Sequence, residues 1–205
     1  QTYPARTIRF VVTFPPGGTT DILAREIGAR MQENWKQTIV IDNRPGAGGN
    51  LGADIVAKAP SDGYTILLGP NGTHAINPSL YTTMPYDAIT DFSPLTLIAS
   101  VPNIFISHPS FPAKTVKDVV ALAKAQPGKV VYASSGTGTP QHLSVELFKT
   151  MAKIDMVHVP YKGASPAVLA VLSGEVALSC PSLPSAGIAT HVGSGRMRGL
   201  AVTGA

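Results

Sequence analysis

One pattern recurs along this chain and limits what it can become. A short run of β-branched and aromatic residues is followed by a loop of Gly, Pro, Ser and Thr, then by apolar residues at helical spacing. Residues 7–14 (TIRFVVTF) stop at Pro15, Pro16, Gly17 and Gly18, and Ile22, Leu23, Ile27, Met31 and Trp35 then recur with a helical period over 20–35. Asp21 stands where a carboxylate suits the free N–H groups of a helix start. Strands this continuously apolar are buried on both faces, so the pattern predicts α/β architecture with parallel-rich sheets flanked by helices.

The pattern continues with a strand over 38–41, a Gly-rich turn and helix over 46–58, a strand over 64–68, and a short helical segment opening at 71–74 that Pro78 should limit. Residues 85–102 differ. Pro85, Pro94 and Pro102 bracket an apolar run, 95–101, followed at once by another, 103–107, with no helix between. Two extended runs joined by a proline suggest a strand leaving one domain and feeding another. The expected division is a first ligand-binding domain over 1–101 and a second over 102–205, with a hinge near Val101 and Pro102.

In the second half, helices are expected over 115–125, 141–151, 166–172 and 184–191, and strands over 129–133, 156–159, 175–179 and 197–203. The sequence stops directly after a strand, which a complete domain would normally protect. It opens on Gln1 and Thr2 without Met or a leader pattern, as expected of either a processed or a trimmed N-terminus.

Composition narrows the function. The 205 residues are 44% hydrophobic and 14% charged, well inside the globular range. The formal net charge of +4 is scattered and not interleaved with stacking aromatics, which argues against a nucleic-acid partner. No run of eighteen apolar residues occurs, so no membrane-spanning helix is expected. A single cysteine, Cys180, sits in an apolar stretch, reads as a buried small hydrophobe, and excludes an internal disulfide. His74, His108, His142, His158 and His191 form no close metal-ligand pair, so no metal is expected.

The chemistry should lie in four strand-to-helix loops, which share one edge when the strands are parallel. The first carries Phe14, Pro16, Gly17, Gly18, Thr19 and Thr20. The second carries Asn71, Gly72, Thr73 and His74. Ser134, Ser135, Gly136, Thr137 and Thr139 form the third, and Tyr161, Lys162 and Gly163 the fourth. Glycine lets the backbone approach a ligand, while hydroxyls and helix N–H groups bind an anion without a fixed positive charge. A carboxylate-sized or phosphate-sized anion fits such loops. Gly46, Gly48, Gly49 and Gly52 imitate a dinucleotide fingerprint, but Asp42, Asn43, Arg44 and Pro45 separate them from the strand and no acidic residue ends a second strand. Turn geometry and close helix packing account for these glycines, and no cofactor is expected.

Larger motifs carry a resemblance. Tyr3-Pro4, Phe14-Pro-Pro-Gly-Gly followed by Asp21, Val40-Ile-Asp-Asn-Arg-Pro-Gly-Ala-Gly-Gly-Asn-Leu-Gly52, Ala59-Pro-Ser-Asp-Gly-Tyr-Thr65, Asp91-Phe92, Tyr132-Ala-Ser-Ser-Gly136, His158-Val-Pro-Tyr-Lys-Gly163 and Leu200-Ala-Val-Thr203 together resemble the extracytoplasmic solute receptors of tripartite tricarboxylate transporters, the Bordetella uptake type. The resemblance spans essentially the whole chain. It implies a two-domain fold like the type II periplasmic binding proteins, closing over a small organic acid in an interdomain cleft. It also implies a monomeric receptor in the periplasm that delivers its ligand to an ion-driven membrane permease.

Carried over by motif, the contacts implied are the same four loops. Family members run about a hundred residues further, so the chain looks like one lacking the return strand and terminal helices of its first domain. Ala170 stands where an acidic residue is common, and Cys180 and Pro181 stand where the family usually has an aromatic followed by an acidic or polar residue. Two other classes stay open on the residues alone. One is an α/β hydrolase or transferase using Ser134 or Ser135 with His142 as base, and the other a ligand-sensing regulatory domain.

Overall fold

The computed structural model describes residues 3–204, so Gln1, Thr2 and Ala205, the outer ends of the two expected domains, lie outside the described residues. The chain divides into two compact units, one up to Leu97 and one from Ile98 onward.

In the first unit, β1 (Ile8–Val12) pairs in parallel with β2 (Ile39–Asn43) and β3 (Thr65–Leu68), in the order β2-β1-β3. Side chains on a strand alternate between faces. Phe10 and Val12 pack with Ala24 of α1 (Thr19–Trp35) and with Leu68, and Leu23, Ile27 and Met31 extend that cluster, the periodic positions seen in the sequence. Val11 and Thr13, fully buried on the opposite face, are covered by α2 (Asn50–Ala57), which packs against β1 and β3.

Where a helix was expected from residue 46, the chain first makes a tight turn at Ala47–Gly49 and only then enters α2. The close-packing account of these glycines holds at Gly52, where a Cβ would lie 2.8 Å from the Arg44 carbonyl oxygen and 3.1 Å from Thr13 Cγ2. Pro78 begins a helix instead of limiting one. A π-helical turn, Gly72–Ile76, runs into α3 (Asn77–Leu80) with Pro78 in its first turn, where the missing N–H costs nothing.

Residues 95–101 form no strand. Leu95 and Leu97 are more than 80% exposed, because no strand among the described residues lies alongside to take up their main-chain groups.

The second unit is a five-stranded mixed sheet in the order β6-β5-β7-β4-β8. Here β5 (Val131–Ser134) is parallel to β6 (Val157–Pro160) and to β7 (Leu178–Ser179), while β4 (Ile104–Ser107) runs antiparallel to β7 and β8 (Arg198–Val202). One face holds Phe105, Val119, Tyr132, Val145 and Leu178, with α4 (Val116–Ala125) and α5 (Pro140–Ala152); the other holds Ile106, Ala133, Val168, Val171 and Ile188, with α6 (Ala164–Leu172) and α7 (Ile188–Gly193). Thr115 and Asp118 cap α4 reciprocally, which fixes its start one residue later than expected.

Gly52→Ala should destabilise the protein by about 1–3 kcal/mol, since neither neighbour of the added methyl is the mobile end of a side chain. A lower urea midpoint with unchanged slope is the expected measurement; an unchanged midpoint contradicts the packing account.

Candidate functional site

Within the first unit, parallel pairing places the loops after β1, β2 and β3 at one sheet edge. The loop after β1 is tied down from below by Asp21, which is 3% exposed. Its carboxylate accepts from the Gly17 N–H at 2.9 Å, from Asn43 Nδ2 at 3.0 Å and from Arg25 Nε at 2.9 Å, with a second Arg25 contact at 2.9 Å. Asn43 also donates to the Phe14 carbonyl at 2.9 Å, so one amide at the end of β2 holds both the loop and its carboxylate. Burial alone would raise the Asp21 carboxyl; hydrogen bonds from Arg25, Gly17 and Asn43 more than reverse this and hold it below its ordinary value. Asp21 is thus spent on the loop.

Phe14 is half-buried, Pro16 exposed and Gly18 buried. Two hydroxyls near this edge, Thr13 Oγ1 and Thr20 Oγ1, are buried with no partner among the described residues. Thr20 was expected here, whereas Thr13 carries no sequence signal, being the tail of an apolar strand.

After β3, Asn71 is exposed and Gly72 and Thr73 are buried. The Tyr86 hydroxyl lies 2.8 Å from the Thr73 carbonyl and 2.9 Å from Asn50 Oδ1, and Asn77 Nδ2 donates to Asn50 Oδ1 at 2.6 Å. His74 turns inward: its ring lies edge-on to Phe92, centroids 4.8 Å apart, and over Gly69, where a Cβ would come within 2.7 Å. Its Nδ1 is 2.8 Å from Thr73 Oγ1, and burial lowers its pKa.

Within the second unit, the loops after β5, β6 and β7 share the other candidate edge. The Tyr161 N–H donates to the Ser134 carbonyl at 2.9 Å, joining the first two of these loops. Inside the loop after β5, the Gly136 N–H donates to Ser134 Oγ at 3.1 Å and Thr139 Oγ1 donates to the Gly136 carbonyl at 2.7 Å. The Gly138 N–H donates to His142 Nδ1 at 3.1 Å. Two amides of expected site residues, at Gly17 and Gly136, and that of Gly138 beside them are therefore occupied by the chain itself; the N–H groups of Ser135 and Thr137 have no partner among the described residues. Thr137 and Lys162 are exposed, Tyr161 is half-buried with its hydroxyl donating to Glu175 at 2.9 Å, and Gly163 caps α6.

The histidine facing Ser134 is His158, with Nε2 2.7 Å from Ser134 Oγ, and not His142. Ser134 is fully buried and its Oγ also contacts the Gly136 carbonyl at 3.1 Å, a setting that closes it to attack on a substrate. Ser135 Oγ bonds the Gln141 side-chain oxygen. His158 stacks between His142, at 4.1 Å, and Tyr132, at 4.9 Å. Burial, then the neighbouring His142, bring the His158 pKa down to about 4.

Cys180 is fully buried and its thiol is pushed up to about 12 by burial. No group of three or more His, Cys, Asp or Glu side chains among the described residues is placed to hold a metal ion. A surface concavity of about 460 Å³ beside α6 shares Tyr161 with the expected site but none of the loop after β5.

Two α/β units that carry Gly-, Ser- and Thr-rich loops at the carboxyl edges of parallel strands define a periplasmic-binding-protein-like fold. The chain belongs to the tripartite tricarboxylate transporter receptor family: the family model, described as "Tripartite tricarboxylate transporter family receptor", matches residues 23–205. It is 39% identical over 205 residues to protein BugT of Bordetella pertussis, covering 98% of this chain and 62% of that one. Among solved structures it resembles R. palustris Rpa4515 with adipate, at 45% identity and TM-score 0.95, covering 99% of this chain and 67% of that one. MatC from Rhodopseudomonas palustris with bound malate follows at 30% identity and TM-score 0.90, covering 99% and 68%. The chain thus spans somewhat less than two thirds of BugT.

Asp21→Asn should cost roughly 1–3 kcal/mol, because an amide in place of the carboxylate faces the Gly17 and Asn43 donors with one acceptor fewer. Chemical denaturation at neutral pH tests this, and a variant as stable as the parent excludes the anchoring role. A second expectation concerns pH. With a folded pKa of about 4 against an ordinary 6.5, His158 makes the unfolded chain the better proton binder between these values. Its contribution to stability is complete above about pH 6.5 and is lost as pH falls toward 4. His158→Gln should flatten that window of the stability–pH curve, and an unaltered slope there contradicts the assignment.

Proposed function

We propose that this chain is the ligand-capturing part of a periplasmic solute receptor that holds a small organic dicarboxylate and passes it to a membrane permease without altering it. The observation that supports this reading is the character of the loops at each unit's carboxyl edge. They offer the main-chain N–H groups of Ser135 and Thr137 and the hydroxyl of Thr20, in place of a fixed guanidinium or ammonium. Donors of this kind suit a carboxylate, whose oxygens each accept more than one hydrogen bond. Both units, divided in the sequence near residues 101 and 102, serve as ligand-binding domains in this proposal. The site residues are Phe14, Pro16, Gly17, Gly18, Thr19 and Thr20 with Asn71, Gly72, Thr73 and His74 in one, and Ser134, Ser135, Gly136, Thr137, Thr139, Tyr161, Lys162 and Gly163 in the other. Asp21, Asn43, His142 and His158 stand behind them as supports.

The relatives solved with adipate and malate make four- to six-carbon dicarboxylates the first compounds to try. A ligand at a hundredfold excess over its Kd stabilises the folded state by about 2.7 kcal/mol. Adipate, malate, an aromatic acid and an acidic amino acid, each added to the full-length protein, should include at least one that raises the midpoint of thermal unfolding by several degrees. The compound recovered afterwards should be chemically unchanged. No response across the panel, or a converted product, rejects the proposal.

A further inference from the structure

We propose that His142 is a positioning residue for the loop after β5 and works only while unprotonated, so that carboxylate binding at this loop weakens as the medium becomes acidic. The inference rests on the carboxylate-binding reading above and adds to it a dependence on protons.

His142 lies in the first turn of α5, and its Nδ1 accepts the Gly138 N–H at 3.1 Å. A ring nitrogen that accepts an N–H carries no proton, so the neutral ring holds its proton on Nε2, which stands 3.9 Å from Glu146 Oε1. A proton added at Nδ1 would set one N–H against another. The Gly138 N–H would then lose the only partner it has among the described residues, and the loop would lose one of its ties to α5.

A second tie belongs to the same cluster. Ser134, at the base of the loop, meets His158 Nε2 at 2.7 Å, and the His142 and His158 rings stack 4.1 Å apart at 24°. Both ends of the loop therefore lean on one stacked pair, and two imidazolium rings at that distance repel each other.

The charged and titratable groups facing the pair are Tyr132 from β5 and Glu146 and Lys149 from α5. Glu146 is already engaged by the Tyr132 hydroxyl at 2.6 Å and by Lys149 Nζ at 2.8 Å, which limits what it can give to a protonated His142. Burial lowers both histidines, so at neutral pH the pair is uncharged and the loop is held; the transition falls on the acid side.

The opposite behaviour is physically reasonable too. An imidazolium close to the loop would attract an anion and strengthen binding in acid, and the sign of the pH effect separates the two.

The test compares adipate binding to the full-length protein and to His142→Asn by calorimetry at about pH 7.5 and about pH 5. The asparagine oxygen replaces Nδ1 as acceptor and takes up no proton in this range. Adipate's own ionisation is common to both proteins and cancels in the ratio of their affinities. The wild type should lose affinity relative to the variant in acid, about tenfold for each unit by which binding lowers the imidazole pKa. Parallel profiles, or a ratio that moves toward the wild type in acid, overturn the proposal.

A second measurement needs no ligand and no variant. In the NMR spectrum of the unliganded protein, the Gly138 amide should shift with the same midpoint as the His142 ring nitrogens, and a Gly138 amide that stays constant through that midpoint overturns the proposal. Absence of adipate binding at every pH would count against the dicarboxylate reading, while the Gly138 titration would still decide the role of His142.

Discussion

Parallel pairing of short buried strands is the constraint from which the other features follow. A strand with parallel neighbours on both sides commits its main-chain groups to the ladder and releases the chain at the same edge each time. Val12 is thereby in register with Asn43 on one side and Leu68 on the other, which brings loops separated by dozens of residues to a common edge. In the second unit Ser134 opposite Pro160 has the same effect, and the Tyr161 N–H reaches the Ser134 carbonyl across it.

Loops of small residues would be mobile unless something beneath them were rigid. The loops rest on polar groups held within the fold: Asp21 hydrogen-bonded by Asn43, Asn50 by Asn77 and Tyr86, and two half-buried histidines that stack on each other and bond Gly138 and Ser134. Such networks are costly when incomplete and stiffening when complete. On the proposed reading, a loop held this way meets its ligand already shaped, so less ordering entropy is lost on binding.

The sequence was most legible where one physical rule acted alone. The periodicity of α1 and of α4 set those helices to within a residue. It misled where tertiary context decided. The apolar run at 95–101 looks like a strand, yet a strand needs a neighbour, and none among the described residues supplies one. Pro78 looks like a stop but falls where a helix tolerates proline. Strand β7 shrinks to Leu178–Ser179, against an expected five residues, because only those positions lie between β4 and β5. At the site the loops themselves were visible as Gly-, Ser- and Thr-rich joints, and what lies under them was not. Asn43 reads as part of the link after a strand that in fact runs on to include it, His158 as a polar residue inside a strand, and only strand register brings them beneath the loops.

The seclusion of Cys180 has a practical corollary. A thiol without solvent contact, and reluctant to ionise, is a poor target for maleimides and other thiolate-selective reagents near neutrality. A fluorophore can therefore be attached to a cysteine introduced at an exposed position such as Thr137 without first removing the native one. Ligand capture could then be followed as a change in emission from a single known position on the loop.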